Sequence, residues 1–158
     1  WRMGYVMFKH NGELDEVTDA FFRIARSRLC ANSVCQRACI GALKGPQDHI
    51  QRVNEKLRQR RDFAYKRLNE IQGISTAKPE GAFYIFPRIE EGINKGLWQS
   101  DKDFVLDLLH DQHVLVVHGS GFCPLYGKNH FRAVILPQME ILEKAFNKLE
   151  KFMNKRLK

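Results

Sequence analysis

Pro79-Glu80-Gly81-Ala82-Phe83-Tyr84-Ile85-Phe86-Pro87 marks the point where the chain changes rhythm. Its aromatic middle, residues 81–86, reads as a strand. Phe, Tyr and Ile favour a pleated, half-buried surface, and proline stops ladder pairing at each end. Before it the apolar spacing is helical; after it short strands and helices follow one another. Sheet core accounts for alternate members of the run. Phe83 and Tyr84 project to opposite faces of a strand, so one of the two is free to line a pocket.

Working back from that stretch, residues 74–76 form a short strand. The stripe Ile50, Val53, Leu57, Ala64, Leu68 and Ile71 predicts a long helix, with Pro46 in its first turn and Gly73 ending it. Gly45-Pro46 stops a helix running to about Leu43, for which Asn32 and Ser33 supply the cap. Apolar positions 14, 17, 21, 24, 25 and 29 predict another helix. Residues 1–8 are apolar and aromatic and read as a buried strand. The sequence begins on that run at Trp1, and the expectation is a cut chain.

Working forward, residues 91–100 form a loop, and Ser100 or Asp101 caps a helix through Phe104, Leu108 and Leu109. Residues 114–117 are a strand, 118–127 a glycine-rich loop and 130–136 another strand. Pro137 opens a last helix with Met139, Leu142, Phe146, Leu149 and Phe152 on one face. From about residue 74 the fold class is therefore α+β, short strands with helices on one side.

The 158 residues can bury a core, and 44% of them are hydrophobic, ordinary globular content. No apolar run approaches the ~20 residues of a membrane span. The net charge of +8 raises nucleic-acid binding as a reading. The basic residues of 56–67 and 144–158 are mixed with acidic ones at helical spacing, however, which is the pattern of solvated helix faces. Anionic small molecules suit a few specific arginines better. Cys30, Cys35, Cys39 and Cys123 form no Cys-x-x-Cys pair and no zinc set. They read as buried free thiols, which points to a reducing, cytoplasmic setting. His110 and His113 read as surface histidines, and no metal site is expected.

Two arginines stand out. Arg132 lies in Phe131-Arg132-Ala133-Val134-Ile135-Leu136. An arginine within an apolar strand is costly unless its guanidinium meets an anion, and its fork suits a carboxylate better than lysine does. An arginine on a solvated face, or one paired with a structural glutamate, accounts for the pattern equally well. Arg2, in Trp1-Arg2-Met3-Gly4-Tyr5, either holds an anion or sits at a chain end. The loop His118-Gly119-Ser120-Gly121-Phe122 allows close backbone approach to a ligand, but a tight connection explains it better.

Together these pieces resemble the class I/II aminotransferases, the fold-type-I enzymes that use pyridoxal 5'-phosphate (PLP). Trp1-Arg2-Met3-Gly4-Tyr5 is similar to the family's GWRxGY segment. Residues 79–87 are similar to its PxGAFYxFP strand. Gly119-Ser120-Gly121-Phe122 with His130-Phe131-Arg132 is similar to its PGxxF…xxR ending. Order and spacing agree across essentially the whole chain. The stretches RLCAN, GALKGPQDHI and VHGSGF are closest to the archaeal alanine/aspartate branch.

The resemblance implies the C-terminal portion of a PLP-dependent transferase fold, of the three-layer α/β family. Residues 1–45 would end the PLP-binding large domain, 46–73 would be a long connecting helix, and 74–158 the small α+β domain. By position, Arg2 would bind the cofactor phosphate, Arg132 the substrate α-carboxylate, and Phe83 would lie near the substrate. Asn32 and Ser33 would lie near the interface of a homodimer. The Schiff-base lysine is expected upstream of Trp1, so the fragment would carry no catalytic residue of its own and would be inactive alone. The parent would move an amino group between an amino acid, alanine or aspartate, and a 2-oxoacid such as 2-oxoglutarate. Its partners would be small molecules, with no nucleic acid and no membrane. A β-lyase or racemase on the same scaffold is one rival; a non-catalytic basic module binding nucleic acid or a partner is the other. His118 stands where many relatives have proline.

Overall fold

A computed structural model describes residues 2–9 and 11–158. The elements in chain order are α1 (Asp15–Ser27), α2 (Ser33–Lys44), α3 (Asp48–Asn69), β1 (Ile74–Ser75), β2 (Tyr84–Ile85), β3 (Arg88–Ile89), α4 (Asp101–Gln112), β4 (Val117–His118), β5 (Phe131–Val134) and α5 (Met139–Arg156), with a 3-10 turn at Gly119–Gly121. The α+β class read from the sequence is the class observed. The chain divides into two compact units, Trp1–His49 and Ile50–Lys158.

In the first unit, α1 carries Asp15 and Glu16 in its first turn and Arg26 in its last, in the sense that complements a helix dipole. The Asn32 side chain caps α2 as expected, accepting from the backbone N–H of Val34 at 2.9 Å and of Cys35 at 3.2 Å. Neither helix buries a residue fully. The expected strand at 1–8 is not one. Residues 2–9 have no strand pairing; Tyr5, Val6 and Met7 are exposed, and Phe8 meets Phe21 edge-on at 5.2 Å. A strand needs a ladder partner, and the described residues of this unit supply none. Trp1, the first residue of that reading, lies outside the described residues. The cysteines are free but not buried: Cys30 is exposed, and Cys35, Cys39 and Cys123 are half-buried.

α3 begins at Asp48 rather than in a turn opened by Pro46. The intervening Gln47 is tied back to α2, its amide donating to the carbonyls of Ala42 and Gly45. At its other end α3 stops at Asn69, before Gly73. The Asn69 side chain donates to the Thr76 carbonyl and accepts from the Thr76 N–H, which turns the chain, while Gly73 takes the left-handed φ of +79° in that turn. Only the later part of the predicted stripe is core: Ala64, Leu68 and Ile71 are buried, whereas Ile50 and Val53 are about half exposed.

The second unit holds the core. Ala64, Leu68 and Ile71 meet Phe104 and Leu108 of α4, Phe131 and Ala133 of β5, Ile135, and Leu142, Phe146, Leu149, Phe152 and Met153 of α5. β5 is the middle strand of a three-stranded antiparallel sheet, order β2-β5-β4. β3, which the sequence did not suggest, pairs with β1 through Ile74 opposite Ile89. Pro87 separates β2 from β3. It has no N–H to give, and its carbonyl accepts from Phe131. Along β5, Phe131 and Ala133 are buried and Arg132 and Val134 are not. Arg132 therefore lies on the face away from the core.

Candidate functional site

Arg132 is the centre of the candidate site. Its guanidinium carbon lies 4.4 Å from the ring centre of Tyr84 and 4.1 Å from that of Phe122. Its Nε is buried and has no hydrogen-bond partner. Several other arginines of this unit are paired within the protein. Arg67 pairs with Glu150, Arg61 with Asp62, and Arg156 makes a two-pronged contact with Asp107. Among the described residues no carboxylate pairs with Arg132. Of the alternatives the sequence left open, the structural glutamate is therefore excluded among those residues, and a fully solvated face does not describe a guanidinium flanked by two rings. Each ring offers the cation about 0.5–2 kcal/mol without neutralising it. A planar cation with unused donors is suited to a carboxylate from outside.

Two elements bring those rings together. Tyr84 is set by the β2–β5 ladder, where it stands opposite Val134, two residues along from Arg132. Phe122 is set by the glycine-rich loop. Gly119 and Gly127 cross so closely that a Cβ on Gly127 would lie 2.1 Å from the Gly119 carbonyl oxygen, and a Cβ on Gly119 would lie 2.3 Å from the Gly127 carbonyl oxygen. The Gly119 carbonyl then accepts from the Phe122 N–H at 2.9 Å. His118 closes the turn by accepting from the Gly121 N–H, and the buried Asp101 carboxylate accepts from the Ser120 N–H at 2.8 Å. The glycines make a tight connection, as the sequence favoured. What that connection positions is Phe122.

Phe83 is partly exposed and lines a cleft of about 370 Å³ with Asn54, Leu57, Arg58, Arg61 and Glu80. It does not alternate with Tyr84 as a strand residue would. Ala82 takes a left-handed φ of +60°, residues 81–83 bend, and the Phe83 and Tyr84 rings end up 4.4 Å apart. The strand expected over 81–86 is therefore only Tyr84–Ile85. Sequence reasoning missed Tyr84 and Phe122 as partners of Arg132. Phe122 carried a signal, its fixed place after two glycines, but a ring's contact with a residue on the next strand is not visible in spacing.

Arg2 belongs to the first unit. With Arg26, Arg28, Cys30 and Asn32 it lines a cavity of about 580 Å³ that has no acidic residue in its lining. Three guanidinium groups around one cavity fit a phosphate dianion in charge. Asn32 and Ser33 sit at the start of α2, the cap side chain turned to the backbone and Ser33 in the first helical turn. Among the described residues no helix is long and apolar enough to cross a membrane, and no cluster of His, Cys, Asp and Glu is fit for a metal.

An arginine beside two rings, with no carboxylate partner among the described residues, suits an anion such as a carboxylate. The family described as aminotransferase class I and II matches residues 1–149. A glutamate-pyruvate aminotransferase of Haemophilus influenzae is 37% identical over 98% of this chain, and an aspartate aminotransferase of Bacillus subtilis is 30% identical over 98%. The chain spans 38% of the length of each of these relatives. Among solved structures, the alanine aminotransferase of Pyrococcus furiosus superposes with a TM-score of 0.85 at 57% identity, over 91% of this chain and 35% of that one. An Escherichia coli aminotransferase superposes with a TM-score of 0.80 at 31% identity, over 92% of this chain and 36% of that one. The chain belongs to the class I and II aminotransferases.

Proposed function

We propose that this chain is the substrate-clamping portion of a PLP-dependent aminotransferase that exchanges an amino group between alanine or aspartate and a 2-oxoacid such as 2-oxoglutarate. The observation that carries this reading is Arg132, a half-buried cation between two rings with no carboxylate of its own among the described residues. In this role Arg132 accepts the substrate α-carboxylate by two parallel charge-assisted hydrogen bonds and so orients the amino group. The rings of Tyr84 and Phe122 exclude water beside the guanidinium. Phe83 contacts the substrate. Arg2 holds the cofactor phosphate, supported by its cavity of three arginines and no acid. PLP supplies an electron sink for the amino acid's Cα.

None of the lysines in these residues stands in a setting that matches the family's cofactor lysine, so proton transfer at Cα falls to a lysine outside them. On this reading the 158-residue chain alone is inactive. The remaining proposals are supported by the same family membership: a large-domain end at 1–45, a connecting helix at 46–73 and a small domain at 74–158; a homodimer with Asn32 and Ser33 near its interface; and a cytoplasmic enzyme of amino-acid metabolism.

The test uses the full-length enzyme and two amino donors, alanine and ethylamine, which differ by the carboxylate. Arg132→Gln is expected to lower kcat/KM for alanine about 100-fold, roughly 3 kcal/mol for two hydrogen bonds to a charged group. For ethylamine, kcat/KM, which reports the amine half of the exchange and not the acceptor's carboxylate, is expected to change little. Equal effects on both donors would show that Arg132 does not read the carboxylate. Release of pyruvate and ammonia without any 2-oxoacid, from a donor with a β leaving group such as serine, would replace transamination by β-elimination on the same scaffold.

A further inference from the structure

The Arg132 slot raises a question that carboxylate binding alone does not answer: what holds the guanidinium still. A long, flexible side chain loses up to about 2 kcal/mol of rotamer freedom when it is fixed, and a clamp gains from meeting that cost before the ligand arrives. Proteins usually fix an arginine with a carboxylate, as Asp107 fixes Arg156 here. A carboxylate beside Arg132 would occupy the donors the substrate needs and cancel the charge that attracts it. The described residues place none there.

We propose that Tyr84 and Phe122 are the positioning residues of the clamp: their rings, at 4.4 and 4.1 Å from the guanidinium carbon, set its plane while leaving its charge and outer donors for the substrate carboxylate. The inference rests on the reading of Arg132 as that clamp. Three observations support it. The buried Nε makes no hydrogen bond, so among the described residues the head has ring contacts where a hydrogen-bond acceptor would otherwise hold it. The two rings come from different elements, and each is fixed independently of Arg132. Tyr84 is held by the β2–β5 ladder and by the Phe83 ring; Phe122 is held by its N–H bond to Gly119 and by an edge contact with Phe86 at 6.4 Å. Finally, Phe122 is 49% exposed, so it adds little to the core and its place is not explained by burial.

Steady-state kinetics of the full-length enzyme, with alanine and ethylamine as donors, test this. Phe122→Leu and Tyr84→Leu keep bulk and remove the π face. Each is expected to raise KM for alanine about tenfold while kcat stays within about threefold, in line with the range for a desolvated cation–π contact. Phe122→Tyr and Tyr84→Phe, which restore a ring, are expected to stay within about twofold of the parent. For ethylamine, which has no carboxylate, kcat/KM is expected to be insensitive to all four. If Arg132→Gln lowers kcat/KM for alanine but both leucine variants keep the parental KM, the clamp stands and ring positioning is overturned. Equal losses with alanine and ethylamine would reduce the rings to packing and also overturn it. Should Arg132→Gln itself leave alanine kinetics unchanged, the functional reading fails first, and that result is distinct from the other two.

Discussion

Arg132 and Arg156 have the same side chain and opposite roles. Arg156 lies where Asp107 and Asp111 reach it, and the Asp107 carboxylate raises its pKa further. Arg132 lies beside two rings, and no carboxylate pairs with it among the described residues. The acidic partners at the end of α4 have their own pH signature. Asp111 is held below the ordinary aspartate value, first by its hydrogen bond from Lys155, then by Gln112. A carboxyl whose folded pKa is depressed contributes stability that is fully present above its unfolded value, near 3.8, and is lost as pH falls through the folded value. The thermal midpoint of the parent is therefore expected to drop more steeply below about pH 4 than that of Lys155→Met. Parallel curves for the two proteins over that range would remove this role from the pair. The Lys155 side of the pair is largely exposed, so the difference is small.

At the scale of elements, the loop between β4 and β5 is the piece on which the site depends. Its glycines were legible as a tight connection, and that is how they act. Their consequence for Phe122 was not legible, because it arises from two backbone strands crossing at a distance no side chain tolerates. Gly127→Ala is expected to cost about 1–3 kcal/mol through this overpacking. It is also expected to raise KM for the carboxylate substrate of the full-length enzyme, since reopening the crossing moves Phe122. Urea titration reads the first effect and kinetics the second; a destabilised variant with parental KM would show that Phe122 keeps its place without the crossing. Elsewhere, local signals located elements better than ends. Asn32 and Ser100 cap their helices as their side chains predict. The start of α3 and the short β2 depart from expectation because Gln47 and Ala82 adopt conformations that composition does not encode.

Across the whole chain, burial is uneven. Among the described residues every member of the buried core belongs to the second unit, and α1 and α2 contribute none. Opening free energies should follow that distribution. Hydrogen exchange on the 158-residue chain is expected to show the slowest amides in β5, α4, α5 and the second half of α3, and fast exchange throughout α1 and α2. Slow exchange in α1 matching that of α5 would contradict the burial pattern. Phe152, fully buried against Trp98 and Phe104, is a point where the core is most sensitive, and its replacement by alanine belongs to the class that costs about 3–5 kcal/mol. The charge of +8 plays no comparable part, because its carriers lie along exposed helix faces and many are paired.

The amino-acid sequence by itself determined the family, the α+β class, the helix caps and the two arginines worth attention. Each of these is written in local composition and in the order of short motifs. Only the tertiary structure decided that Arg132 lies on the outer face of the sheet, that it has rings for neighbours among the described residues and no acid, and that Phe83 and Tyr84 share a side. The physical reason is that these properties belong to pairs of residues from different elements: Tyr84 on one strand, Phe122 on a loop and Arg132 between them. A periodicity records which face a residue takes; it does not record what stands opposite once the sheet and the loop close.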